Sequence, residues 1–138
     1  MNLQNMHFKL DLTVEAHHLD GLGHVNNVIY LQWMQDAAWA HSHYLGLNLE
    51  RYQALDAAMV ARQHQLTYLS ACYLGDELCV NTWLTKNDGF NLYRQYEVIR
   101  VQDNQKVFDA WTHWVCVKMS TGRPVRMPDQ FKKAYAVV

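Results

Sequence analysis

The stretch from Asn27 to Leu45 constrains the fold of this chain more than any other. It contains no glycine or proline, and its bulky apolar side chains recur at spacings of three and four residues, a pattern typical of a helix. The opposite side of this helix is also rather apolar, so other elements must cover much of its surface. Gly46 follows directly and is a typical helix C-cap.

The rest of the chain is typical of an antiparallel sheet. Residues 8–16 alternate strictly between apolar and polar side chains, which predicts a half-buried strand. After a short predicted helix at 49–56, four further strand patterns lie at about 58–69, 77–86, 90–102 and 106–119. The turn signals between them are Gly75-Asp76, Asn87-Asp88-Gly89 and Asp103-Asn104. They favour successive antiparallel hairpins over helical crossovers.

This order predicts an α+β fold in which an antiparallel sheet of five or six strands curls around one long helix. A length of 138 residues fits one domain, which we expect to span residues 1–138. Such a sheet leaves a long edge open. Because long edge strands usually need covering, we expect a homodimer that joins two sheets side by side, or a homotetramer.

Composition excludes several classes of function. The chain has 12 Lys and Arg against 13 Asp and Glu, without a basic cluster, so we expect no nucleic-acid partner. Three cysteines without a CxxC pair fit a reducing compartment. Residues 1–10 lack the pattern of a signal peptide and no apolar run is long enough to span a bilayer. We therefore expect a cytoplasmic protein without a membrane partner.

Residues 17–27, just before the long helix, concentrate the chemically useful side chains. Asp20 lies a few residues ahead of the free backbone N–H groups at the helix start, near Asn27. This arrangement puts a base or nucleophile beside an oxyanion pocket and suits attack on a carbonyl such as a thioester. Asp, Asn and Gly are also ordinary capping and turn residues, and their spacing alone favours capping.

One segment, residues 19–31, resembles the hotdog-fold thioesterases, in particular the family of 4-hydroxybenzoyl-CoA thioesterase and related bacterial acyl-CoA thioesterases. It reads Leu19-Asp20-Gly21-Leu22-Gly23-His24-Val25-Asn26-Asn27-Val28-Ile29-Tyr30-Leu31. Weaker similarities lie in residues 75–78 and 121–128. The resemblance implies a hotdog fold over nearly the whole chain.

The same resemblance implies hydrolysis of an acyl thioester of CoA, or of acyl carrier protein, to the free acid. Asp20 would be the base or nucleophile, a backbone N–H at or near Asn27 the oxyanion donor, and His24 an orienting or polarising group. Substrate contacts are expected at Gly21, Gly23, Asn26 and Tyr30. The alternative is a non-catalytic acyl-binding protein of the same fold, in which Asp20 merely caps the helix.

Three positions depart from these relatives. His18 stands where many of them have the first of two acidic residues, and Leu22 where plant acyl-carrier-protein thioesterases have Asn. Gln35 stands where relatives often have Glu on the helix. Asp20 is therefore expected to act without a second helix carboxylate.

No metal or cofactor is expected. His17, His18 and His24 share one loop with Asp20, but they lack the ligand spacing of a zinc site such as HExxH. Four cations are candidates for contacts with CoA phosphates, although each alone is more typical of a solvated charge. They are Lys86, Arg94, Arg123 and Arg126.

Overall fold

A computed structural model of the protein describes residues 7–137. Its strands are β1 (Phe8–Thr13), β2 (Ala57–Tyr68), β3 (Glu77–Asn87), β4 (Asn91–Arg100) and β5 (Gln105–Lys118). Its helices are α1 (Asn27–Tyr44), α2 (Leu49–Leu55) and α3 (Asp129–Ala134), with a single 3-10 turn at Ala16–His18. Residues 1–6, most of the segment behind the signal-peptide prediction, lie outside the described range. No helix within that range has the length and apolarity needed to span a bilayer.

The five strands form one antiparallel sheet in the order β1-β3-β4-β5-β2, and α1 packs on its inner face. Alternate residues of the interior strands point to this face, which is why β3 and β4 show a regular alternation of buried and half-buried positions. Met34 and Ala37 of α1 are fully buried against this face, in one cluster with Val80 and Tyr96. The predicted α+β arrangement, a sheet curled around one long helix, is confirmed with five strands.

The sheet covers only one side of α1 in this chain. Val28 and Trp39 on the other side are 68% and 43% exposed. The expectation that other elements wrap most of this apolar helix is therefore met on one side alone. The exposed side remains available to a partner.

The first strand is shorter than its alternating pattern predicts and ends at Thr13 instead of residue 16. Thr13 pairs with Glu77, the first residue of β3, so the partner strand ends there. Beyond this point Val14 exchanges backbone hydrogen bonds with the turn before β3, and the chain bends into the 3-10 turn.

The first predicted hairpin is wrong. Gly75-Asp76 does not fold β3 back onto β2, because β2 pairs with β5 at the far edge of the sheet. Instead, the backbones of Gly75 and Asp76 bond to Val14 and start β3 beside β1. The other two turn signals do join neighbouring strands, β3 to β4 and β4 to β5. Helix α3 was not predicted; its Phe131 is fully buried in a second core cluster under α2.

Candidate active site

The loop between β1 and α1 is held in a defined shape by its own backbone. Leu19 and Val25 form an isolated antiparallel bridge, and Asp20 N–H donates to the His24 carbonyl at 2.8 Å. Gly23 N–H donates to the Asp20 carbonyl at 3.1 Å, with Gly23 at a φ of +77°. Glycine adopts this left-handed conformation without the steric penalty that other residues incur. The loop therefore presents Asp20 at a fixed position.

The two oxygens of the Asp20 carboxylate have different surroundings. Oδ1 accepts hydrogen bonds from the backbone N–H groups of Leu22, at 2.8 Å, and His24, at 3.3 Å. Within residues 7–137, no hydrogen bond reaches Oδ2. The half-buried Asp20 also lines a cavity of about 400 Å³. Oδ1 thus fixes the loop, and Oδ2 is free to accept a proton or to bond to a substrate carbon.

The start of α1 lies on the same cavity. Asn26 is the N-cap: its Oδ1 accepts from the Val28 N–H at 3.2 Å, and its carbonyl accepts from the Ile29 N–H at 2.9 Å. In the described part of the chain, the N–H of Asn27 has no acceptor. A free N–H at the positive end of a helix can bind an oxyanion without rearrangement.

Aromatic side chains fix the helix start and form the floor of the cavity. Tyr68, at the end of β2, donates its hydroxyl to the Asn27 carbonyl at 3.0 Å. Tyr30 is buried and stacks on Phe108 with ring centroids 4.7 Å apart. Burial raises the pKa of the Tyr30 hydroxyl, which therefore stays protonated. Tyr30 is thus an apolar wall and an unsuitable base.

The structure places four of the seven predicted site residues on this cavity. They are Asp20, His24, Asn27 and Tyr30. Gly21 and Gly23 are exposed parts of the loop, and Asn26 serves as the helix cap; these three do not line the cavity. The prediction of substrate contacts for them has no counterpart in the cavity lining.

His24 contacts the Asp20 carboxylate through its backbone and not through its imidazole ring. The imidazole packs edge-on against Tyr73, with centroids 5.1 Å apart, and no hydrogen bond joins it to the Asp20 carboxylate within residues 7–137. Its backbone N–H, by contrast, does reach that carboxylate. His24 thus positions Asp20 through its main chain.

Sequence reasoning missed the end of β2 and the three residues that follow it, residues 68–71, which line the cavity. No local motif marks this segment. It reaches the site because Tyr68 pairs with Phe108 of β5, and Leu69 and Ser70 continue that contact by donating to the Val107 carbonyl. Only the long-range register of the sheet brings it beside Asp20.

The predicted phosphate contacts are not supported by the positions of the cations. Arg94 is 2% exposed, so its assignment as a solvated surface charge is wrong. Lys86 lies near the end of β3, and Arg123 bonds to Lys118 at the end of β5. Arg126 stacks over Phe90 in the turn between β3 and β4. In this chain these cations lie at the end of the sheet opposite Asp20.

One group in the described range has metal-ligand chemistry. The potential ligand atoms of Glu15, His17 and His18 lie within 4.8 Å of one another, and the first two residues are exposed. His18 Nδ1 already accepts the backbone N–H of Glu15 at 2.9 Å. Exposed groups of this kind are common without an ion.

Comparison with known proteins identifies the same fold. A model of the thioesterase-like superfamily matches residues 14–135. The long-chain acyl-CoA thioesterase FadM of Escherichia coli is 25% identical over 126 residues, which cover 88% of this chain and 92% of that protein.

Two solved structures superimpose closely on this chain. A 1,4-dihydroxy-2-naphthoyl-CoA thioesterase from Synechocystis has a TM-score of 0.85 at 22% identity and covers 94% of this chain and 95% of its own. A Staphylococcus aureus protein solved in complex with CoA has a TM-score of 0.88 at 20% identity and covers 93% and 80%. These similarities confirm the predicted hotdog fold.

Proposed function

This chain belongs to the thioesterase-like superfamily, which makes it a thioester hydrolase, and we propose that it cleaves acyl-CoA with Asp20 as the reacting carboxylate. One observation carries this proposal. Asp20 and Asn27 line the same cavity, and within residues 7–137 the Asp20 Oδ2 has no hydrogen bond and the Asn27 N–H has no acceptor. A carboxylate and an oxyanion donor on one cavity are what hydrolysis of a thioester carbonyl needs.

In the first form of the mechanism, Asp20 is a general base. Its Oδ2 takes a proton from a water molecule, whose oxygen bonds to the thioester carbon. The carbonyl oxygen becomes an oxyanion that the Asn27 N–H stabilises. When the carbon–sulfur bond breaks, the departing CoA thiolate takes the proton from Asp20, and the free acid remains.

In the second form, Asp20 is a nucleophile. Oδ2 bonds to the thioester carbon, CoA leaves as the thiolate and takes a proton from solvent, and water then hydrolyses the mixed anhydride. Labelling of Asp20 in a single turnover in ¹⁸O-water would identify the second form. Direct attack by water puts the label only into the acid product, whereas water attack on the Asp20 carbonyl of the anhydride transfers the label to Asp20.

The proposal is tested by release of free thiol from acyl-CoAs of increasing chain length. Wild type, Asp20→Asn and the matched surface control Asp36→Asn are compared; Asp36 is exposed on α1 and bonds only to Gln32 in the described range. We expect hydrolysis by wild type and Asp36→Asn and its loss in Asp20→Asn. Equal rates for wild type and Asp20→Asn would leave the acyl-binding alternative, with Asp20 as a structural residue.

The same assay also tests whether the acyl group is carried on CoA or on acyl carrier protein. CoA and acyl carrier protein present the same pantetheine arm, so each acyl group is offered on both. We propose CoA because FadM is named an acyl-CoA thioesterase and the Staphylococcus aureus neighbour was solved with CoA. A higher kcat/KM for the acyl-carrier-protein thioesters would reverse this assignment.

We further propose that the protein forms a homodimer, or a homotetramer built from it, through β2. This 12-residue strand lies at the sheet edge and is mostly exposed, whereas β1 at the other edge has 6 residues. The exposed Trp39 and Val60 lie beside the β2 edge and would be covered by a partner. Light scattering on the protein eluted from a size-exclusion column should give a molar mass of two or four chains. A molar mass of one chain would contradict this proposal.

A cytoplasmic location is also part of the proposal. Cys72, Cys79 and Cys116 are all free thiols, and two of them are buried. Free buried thiols fit a reducing compartment. Fractionation of cells that express the full chain should recover it with the cytoplasmic proteins.

A further inference from the structure

A second cavity lies farther along α1 from the Asp20 cavity. Its volume is about 270 Å³, roughly nine times the volume that one water molecule occupies in the liquid. Most of its lining is apolar, and its exposed lining residues include Gln35 of α1 and Val60 of β2, at the sheet edge where the proposed homodimer would place the partner subunit. Arg94 of β4 lies in its wall. The cavity is thus an apolar pocket with a cation inside it.

Arg94 has few partners for its charge. It is 2% exposed, and its Nη1 donates to His41 Nδ1 at 2.8 Å and to Thr82 Oγ1 at 3.2 Å. Its Nε is buried without an acceptor within residues 7–137. In the same range, no Asp or Glu lies within salt-bridge distance of the guanidinium.

The two acceptors of Arg94 supply no negative charge. Thr82 is neutral, and burial together with the neighbouring Arg94 lowers the pKa of His41 to about 3, so its imidazole is neutral as well. A guanidinium remains protonated in proteins. A buried charge without a counter-charge is strongly unfavourable, so such groups are normally paired. Arg94 is therefore a cation with an unfilled requirement for an anion.

A second donor in the same cavity points the same way. Trp114 lines the pocket, and its indole Nε1–H is also buried without an acceptor in the described part of the chain. The remaining wall includes Ala38, Met59 and Leu92, which offer only apolar surface. The Arg94 charge in a mostly apolar pocket is complementary to a single carboxylate on a hydrocarbon chain, and two buried donors beside it, Arg94 Nε and Trp114 Nε1, lack acceptors in the described range.

We infer that this pocket binds a carboxylate carried on an apolar chain, with Arg94 as its counter-charge and Trp114 as a second donor. Arginine suits this role because its planar fork of N–H groups matches the two oxygens of a carboxylate. A phosphate would fit less well, because Arg94 is the single cation among the described residues that line the pocket and the other polar side chains there are neutral.

Two sources could supply such a ligand. One is a free fatty acid. The other, which rests on the proposed thioesterase function, is a second carboxylate at the far end of the acyl group of the substrate. Both cavities lie between α1 and β2, and their α1 residues, Asn27 to Tyr30 and Gln35 to Ser42, are about ten residues or ~15 Å apart. An extended acyl chain of medium length covers this distance.

The first test measures binding of octanoate and of the neutral, equally long octanamide to the purified full chain by titration calorimetry. Wild type should bind octanoate roughly tenfold or more tightly than octanamide, the ratio typical of a hydrogen bond to a charged group. Arg94→Met should lose this preference, and the exposed-arginine control Arg51→Met should keep it. Equal binding of the two ligands by wild type would overturn the inference.

A second variant covers the case in which Arg94→Met does not fold. Trp114→Phe keeps an aromatic ring and removes only the N–H, and it should weaken octanoate binding severalfold without changing octanamide binding. Unchanged octanoate affinity in Trp114→Phe would contradict the role of Trp114. A preference for octanoate that persists in a folded Arg94→Met would contradict the inference as a whole.

The second test separates the two sources. Thioesters of eight and twelve carbons are assayed with and without a carboxylate at the far end of the chain. A kcat/KM preference for the dicarboxylic thioesters that Arg94→Met loses assigns the pocket to the substrate. Octanoate binding without that preference assigns it to a free acid. Octanoate binding by a chain that cleaves no thioester would reject the proposed function and keep this inference.

Discussion

Helix α1 lines two cavities that differ in the sign and the burial of the charged side chain in their walls. At its start, the half-buried Asp20 carboxylate sits on a loop with one oxygen unbonded. Farther along, the buried Arg94 guanidinium bonds to the neutral His41 and Thr82 and lines a mostly apolar pocket. A carboxylate near water can gain and lose a proton during a reaction, whereas a buried guanidinium keeps its charge. This contrast matches the two proposals, in which the first cavity carries out chemistry and the second binds a carboxylate.

The largest expected effect comes from a substitution that abolishes hydrolysis at one cavity and leaves octanoate binding at the other unchanged. Asp20→Asn should lower kcat for acyl-CoA by roughly 10²- to 10⁴-fold, the usual contribution of a positioned acid or base. Its octanoate affinity should stay at the wild-type value, because the carboxylate pocket is formed by other residues. Thiol release and titration calorimetry on the same protein preparation check both halves.

One result would contradict the assignment of hydrolysis and octanoate binding to separate cavities. If Asp20→Asn lost octanoate binding and hydrolysis in parallel while its thermal unfolding stayed unchanged, octanoate would be occupying the reactive cavity. The two cavities would then act as one site. Asp36→Asn serves as the control for loss of a carboxylate elsewhere on the chain.

The second prediction concerns the stability of the ligand-free chain. Replacement of a buried ion pair by apolar residues of similar volume is often neutral or stabilises a protein by about 1–4 kcal/mol, and loss of Arg94 would leave no opposite charge among the described residues unpaired. Because Arg94 has no counter-charge in the described range, Arg94→Met should unfold at an equal or higher urea concentration than wild type. A loss of several kcal/mol would show instead that the hydrogen bonds to His41 and Thr82 make Arg94 a structural residue.

The sequence predicted the first cavity better than the second for a physical reason. Asp20 and Asn27 are neighbours in the chain, and a turn followed by a helix start brings them together through local geometry alone. The long periodic pattern of α1 was equally local, and its predicted bounds agree with the structure to within one residue.

Arg94 could not be assigned in the same way. Its burial depends on which face of β4 meets α1, and that follows from pairing Leu84 with Arg94 and Arg94 with Thr112 across three strands. The missing hairpin at Gly75-Asp76 has the same origin, since strand order is set by contacts distant in sequence. Alternation along β4 does place Arg94 on the same face as Leu92 and Tyr96, and this was the one sequence feature that indicated its burial.

The third prediction is a pH dependence that originates beside Arg94. His41 has a pKa of about 3 in the folded chain, against its ordinary value of 6.5 when unfolded. Between these values the unfolded chain binds the extra proton, so the free energy of unfolding falls as pH is lowered from 6.5 towards 3. The contribution of His41 should approach about 1.4 kcal/mol per pH unit.

Urea unfolding at several pH values checks this slope. His41→Asn keeps an acceptor for Arg94 and cannot titrate, so its slope should be shallower than that of wild type. Some slope should remain, because burial lowers the pKa of His18 and His64 in the same direction. Identical slopes for wild type and His41→Asn would mean that His41 is not held neutral next to Arg94.

The smallest expected effect concerns the cap that fixes the reactive end of α1. Asn26→Ala should cost about 1 kcal/mol of stability, as should Asn48→Ala, which removes the equivalent cap of α2. Only Asn26→Ala should also reduce kcat for acyl-CoA severalfold, because Asn26 sets the direction of the Asn27 N–H that would hold the oxyanion. If both variants lost stability equally and neither lost activity, the oxyanion donor would have to lie elsewhere on the cavity wall.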